Sequence, residues 1–170
     1  REDGLWDIDA TVQDSKFYDY FDLERGKLPA GAFVHNISTR VTIDNEMNVR
    51  EIAYHMEDIP YSFCHGGGEN LPKLVGANLA KGWRHALNEN LGRTAGCTHL
   101  KEMLFGVATV AFQTLSAWRE SRTGAESLST GDITETPFYM GGCHSMAFDS
   151  PVVEKFYPLF YTGKKKQREN

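Results

Sequence analysis

Ala32-Phe33-Val34-His35-Asn36-Ile37-Ser38-Thr39-Arg40-Val41-Thr42-Ile43, then Asp44-Asn45-Glu46, then Val49-Arg50-Glu51-Ile52-Ala53-Tyr54-His55-Met56 is the stretch that decides the fold. In its first part Phe33, Ile37, Val41 and Ile43 fall on one side, the period of two that a half-buried strand requires. Asp44-Asn45-Glu46 is polar turn chemistry, and the run after it completes an antiparallel hairpin. Residues 5–13 repeat the pattern upstream: Trp6, Ile8, Ala10 and Val12 alternate with Asp7, Asp9 and Thr11, which predicts a third strand. The polar and aromatic connection over residues 15–31, ending in Lys27-Leu28-Pro29-Ala30-Gly31, reads as a surface loop.

Downstream of the hairpin the period changes. Over residues 98–120, Leu100, Met103, Leu104, Val107, Ala108, Ala111, Phe112, Leu115 and Trp118 follow helical spacing, with Thr98 expected as the N-cap. Residues 71–91 predict a helix bent around Gly76 and Gly82. Residues 121–135 are rich in Ser, Thr and Gly and read as an exposed loop. A last short helix is expected from Ser150-Pro151, with Val152, Val153, Phe156 and Tyr157 before Pro158 stops it. Strands first and helices afterwards give an α+β fold, a small antiparallel sheet of about three strands in the N-terminal half packed against C-terminal helices. With no internal repeat and no low-complexity linker, residues 1–170 are expected to form a single domain.

The totals narrow the function classes. A chain of 170 residues can bury a real core, and 41% hydrophobic with 24% charged residues is ordinary globular composition. A net charge of −5 argues against a nucleic-acid binder, which needs a basic face to neutralise phosphates. Lys164-Lys165-Lys166 with Arg168 reads as a solvated tail. No apolar run reaches the ~20 residues of a membrane span, so no membrane is expected as a partner. Gly-x-Gly-x-x-Gly, Walker and Gly-x-Ser-x-Gly patterns are all missing, so no nucleotide cofactor is expected. Three cysteines do not make a disulfide framework, which predicts a reduced, cytoplasmic setting. Residue 1 is Arg rather than Met, and a missing N-terminal segment is expected.

The cysteines sit at junctions between elements, each with a histidine within two residues. Cys64 and His65 precede Gly66-Gly67-Gly68; Cys97 lies in Gly96-Cys97-Thr98-His99-Leu100 at the start of the strongest helix; Cys143-His144 follows Gly141-Gly142. A thiol at a helix N-terminus feels the positive end of the macrodipole, and glycine beside it lets backbone approach an ion or ligand closely. Thiolate with imidazole is the ligand set of zinc and, with more sulfur, of iron–sulfur centres. His35 runs in phase with Phe33, Ile37 and Val41, so its side chain is expected on the covered face, where it needs a partner. Glu102, one turn into the helix, is the candidate catalytic base or the carboxylate that orients His99; complementing the helix dipole is the plainer role for it. The plain reading of each cysteine is a small buried hydrophobe, and His35 alone is more often a hydrogen-bonded core residue than a ligand.

Several blocks carry a resemblance. Arg1-Glu2-Asp3-Gly4-Leu5-Trp6-Asp7-Ile8, Val34-His35-Asn36, Leu74-Val75-Gly76, Gly82-Trp83, Leu91-Gly92 and Gly96-Cys97-Thr98-His99-Leu100 resemble the bacterial domain-of-unknown-function family 2889 (DUF2889). So do Ala111-Phe112-Gln113-Thr114, Cys143-His144 and Tyr157-Pro158, so that the resemblance spans nearly the whole chain. Members often have His-Asp where this chain has His35-Asn36, and usually carry a short basic segment before the Gly-Leu-Trp strand. The family supplies no activity. The order of elements is also similar to the NifU-like iron–sulfur scaffold and SufE-like sulfur-carrier fold, with His35, Cys97 and Cys143-His144 at matching points. There the first position is His rather than Cys and the last dipeptide is reversed, which suits zinc or mononuclear iron better than a cluster.

The expectation is therefore a metal-binding protein, zinc or iron, with Cys97 and Cys143 as leading ligands and His35, His99, His144 and Cys64 competing for the remaining positions. A coordination site left open to water allows metal-assisted chemistry on a small-molecule substrate. The alternatives are an accessory protein that handles sulfur or an iron–sulfur cluster for a partner or within a larger complex, a metal-free enzyme with Cys97 as nucleophile and His99 or His144 as base, and a structural subunit whose cysteines only pack.

Overall fold

The computed structural model describes residues 1–123, 135–137 and 139–163. The alternating segments become β1 (Trp6–Ser15), β4 (Phe33–Ile43) and β5 (Val49–Asp58), an antiparallel sheet in the order β1-β4-β5. Between β1 and β4 lies a two-stranded antiparallel hairpin, β2 (Tyr20–Asp22) and β3 (Gly26–Leu28). The architecture is α+β as expected, with the sheet first and the helices after it. The hairpin replaces part of the expected loop. The Asp22 carboxylate accepts the backbone N–H groups of Glu24 and Arg25, closing a turn that hydrophobic period does not reveal.

Register decides what the sheet buries. Ile8 lies opposite Val41, Ala10 opposite Thr39, Val12 opposite Ile37 and Asp14 opposite His35. Ile37, Val41, Ile43 and Val49 are fully buried, while the Asp9–Arg40 pair stands on the other, solvated face with its two short hydrogen bonds. The tight link between β4 and β5 is held by the buried Asp44, whose carboxylate accepts from the backbone N–H groups of Glu46 and Asn48, the Asn48 side chain and Arg50.

The helices differ from expectation at their boundaries. The predicted helix over residues 71–91 is a 3-10 turn, Leu71–Leu74, an irregular segment and then α1 (Trp83–Leu91). Gly76 and Gly82 adopt φ of 89° and 72°, left-handed backbone that ends rather than bends a right-handed helix. The long helix α2 (Thr98–Thr123) buries Leu100, Leu104, Val107, Ala111 and Leu115 on one stripe. Its first intrahelical hydrogen bond runs from Lys101 N–H to the Cys97 carbonyl, so Cys97 and not Thr98 occupies the N-cap. The Trp83 indole donates to the Leu104 carbonyl and ties α1 to α2.

The chain divides into two compact units, Arg1–Ser116 and Ala117–Asn170. In the second, α3 (Pro151–Phe156) has Ser150 as its N-cap, accepting from Val153 N–H, and Pro158 lies just past its end. α2 continues to Thr123, three residues into the loop expected over residues 121–135; most of the rest of that stretch, and the basic tail at residues 164–168, lie outside the described residues.

Candidate functional site

Sheet, turn and helix meet at one cavity in the first unit. It has a volume of about 510 Å³ and is lined by His35 and Ile37 of β4, by residues following β5 that include Cys64, and by Cys97 and His99 at the start of α2. A 3-10 helix, Ser62–Gly68, carries Cys64 and the three glycines. The Gly67 carbonyl accepts the backbone N–H of Cys97 at 2.9 Å, and a Cβ on Gly67 would lie 2.7 Å from the Cys97 Cβ. Glycine is thus required at 67 for the loop bearing one cysteine to reach the other.

Inside the cavity, polar side chains form a chain of contacts. The Cys97 Sγ is 3.9 Å from His99 Nδ1, and the His99 ring lies against the His35 ring with centroids 4.1 Å apart. Asp14, which does not itself line the cavity, anchors His35: its Oδ2 is 3.1 Å from His35 Nδ1, and its Oδ1 accepts from the Lys16 ammonium. With the carboxylate on Nδ1, the free acceptor of a neutral His35 ring is Nε2. Burial, followed by the neighbouring His35, holds the His99 pKa below the ordinary histidine value, partly offset by the Asp14 charge; the ring is therefore biased to the neutral, lone-pair-bearing form. Asp14 is held below the usual carboxylate range by its hydrogen bonds to Lys16 and His35 and stays ionised.

The same part of the chain carries the family match. A family model described as a protein of unknown function (DUF2889) covers residues 1–113. The chain belongs to the DUF2889 family. The matched DUF2889 segment contains Asp14, His35, Cys64, Cys97 and His99, and ends before Cys143 and His144. No curated protein and no solved structure matches the chain.

Four of the sequence-derived candidates in this DUF2889 chain thus share one cavity: His35, Cys64, Cys97 and His99. Cys143 and His144 belong to the second unit, where both are exposed. Glu102 is exposed on the first turn of α2 and is not among the cavity-lining residues, whereas Glu69 is. Sequence reasoning missed Glu69 and Asp14. Among the described residues, no group of three or more His, Cys, Asp or Glu side chains stands ready-arranged around a metal position. A second, more open depression of about 390 Å³ lies over Asp9, Arg40, Ala53 and His55, but it holds no cysteine and its ionic pair already satisfies itself.

Proposed function

We propose that this DUF2889 protein binds a zinc or iron ion in the cavity of its first unit through Cys97, His99 and His35, with Asp14 orienting His35. The observation that carries this reading is the Asp14–His35 hydrogen bond beside the Cys97–His99 contact. A carboxylate on the far nitrogen of a ligating imidazole is the usual support of a metal-bound histidine, fixing its tautomer and raising its basicity.

One of the two distances is near that of such a centre, and the other requires the rings to move. A sulfur and a nitrogen on one tetrahedral zinc stand about 3.5 Å apart, given bond lengths of ~2.3 and ~2.0 Å. The observed 3.9 Å between Cys97 and His99 is close to that. Two imidazoles on one ion have ring centres about 5 Å apart by the same geometry. The His35 and His99 rings at 4.1 Å are closer, so an entering ion parts them by roughly 1 Å. Cys64 lines the same cavity and supplies a fourth ligand, or leaves that position to a small molecule. A bound ion with an open position supplies Lewis acidity; Glu69 is then the carboxylate on the cavity wall able to accept a proton.

Cobalt(II) titration tests this directly. A stoichiometric near-ultraviolet thiolate-to-cobalt band is expected in the wild type, reduced in Cys97→Ala and absent when Cys64→Ala is added to it. Asp14→Asn is expected to weaken affinity about 10- to 100-fold with the band intact. Saturable binding without a thiolate band contradicts the site. An unmetallated protein whose Cys97 alkylates fast, and slowly in His99→Ala, establishes the thiol-nucleophile alternative instead.

A further inference from the structure

The cavity is much larger than an ion and its side chains, and its walls are unequal. Its lining is apolar at Ile37, Ile59, Pro60, Tyr61 and Phe63 and polar at Cys64, Cys97 and His99. Phe63 is 91% exposed and Tyr61 46%, so two aromatic rings stand at the rim largely uncovered. A large aromatic left in water beside a cavity that it lines is an unfilled contact surface. Charge narrows what fills it. Among the described residues, none of those lining the cavity is a lysine or arginine, and Glu69 adds a carboxylate. Phosphorylated and other strongly anionic ligands therefore meet no counter-charge from the lining side chains in the ion-free cavity.

We infer that the cavity binds an uncharged aromatic small molecule carrying one thiol or hydroxyl group. Its ring lies against Ile59, Pro60, Tyr61 and Phe63, and its heteroatom points to the Cys97–His99 end. The direction of the heteroatom rests on the metal reading above; the seating of the ring does not. Affinity comes from covering apolar surface, and orientation from the polar end.

The experiment is a methyl-detected NMR titration of the full chain, watching the Ile37 and Ile59 methyl groups, with and without added zinc. Three probes separate the contributions: benzyl mercaptan, 2-mercaptoethanol and phenyl phosphate. Benzyl mercaptan is expected to shift both methyls and to bind at least about tenfold more tightly than either other probe, because only it combines ring and neutral donor. Phe63→Ser, a change at an exposed rim residue that leaves the fold intact, is expected to reduce that advantage severalfold. Zinc is expected to tighten benzyl mercaptan binding. Equal binding of phenyl phosphate, or of 2-mercaptoethanol, overturns the inference, as do shifts confined to methyls outside the cavity. Ring-dependent shifts in a protein that takes up no zinc leave the ring-binding inference standing and remove the metal reading alone.

Discussion

Gly67 sets how closely the two cysteine-bearing segments approach. A Cβ there meets the Cys97 Cβ at 2.7 Å and its backbone nitrogen at 3.0 Å, so Gly67→Ala must push the N-cap of α2 away. The expected outcome is a loss of about 1–3 kcal/mol in denaturant unfolding together with weaker cobalt binding. Unchanged affinity would show that the Cys97 position does not depend on this packing. Asp14 was legible and overlooked. The alternation Trp6, Ile8, Ala10, Val12 continues in phase to residue 14, which puts a carboxylate on the apolar face opposite His35. A charged residue at an apolar phase signals a partner there. The phase of His35 was readable for the same reason, and its side chain is 16% exposed as that phase implies. That Cys64 and Cys97 line one cavity was not readable, because the closure of the Ser62–Gly68 segment onto Cys97 through Gly67 is a long-range contact with no local period.

At the scale of elements, the β4–β5 turn shows how one carboxylate organises a hairpin. Burial pushes the Asp44 pKa up, but the Asn48 side chain, the Asn48 N–H and Arg50 together outweigh it and hold the group below its ordinary 3.8. A carboxylate with a lowered folded pKa contributes stability that is present above the unfolded value and lost as pH falls through the folded one. Asp44→Asn is therefore expected to be less stable at neutral pH and to show a shallower loss of stability below pH 3.8, read by denaturant unfolding across pH. An unchanged acid limb would place that dependence on other carboxylates. α1 teaches a different lesson. Leu71, Leu74, Leu79, Trp83, Leu87 and Leu91 are all buried at near-helical spacing, although only Trp83–Leu91 is α-helical. Burial pattern alone could not separate a helix from a turn followed by a helix; the positive φ of Gly76 and Gly82 did. Leu87→Ala, at a fully buried position, is expected to cost about 2–5 kcal/mol in the same unfolding assay. The β2–β3 hairpin was illegible because its strands are three residues each and its anchors are distant, Arg25 reaching Asp58 and the carbonyls of Phe33 and Val34.

At the scale of the molecule, the α+β order of strands and helices followed from period alone, whereas the division into units did not. The first unit contains the sheet, the cavity and every residue of the proposed centre, and most of it is the segment matched by the family. Within it β4 is bonded on both sides, so its amides are expected to exchange with solvent most slowly and those of the β2–β3 hairpin much faster, by hydrogen exchange. Comparable protection in both would contradict the central place given to β4. The roles proposed for Cys97, His99 and His35 all depend on whether the cavity holds an ion. Anaerobic purification followed by elemental analysis of the wild type, Cys97→Ala and His99→Ala measures this most directly. Near-stoichiometric zinc or iron in the wild type, lost in both variants, is the expected result; a metal-free wild type, or metal retained when Cys97 and His99 are removed, would contradict it.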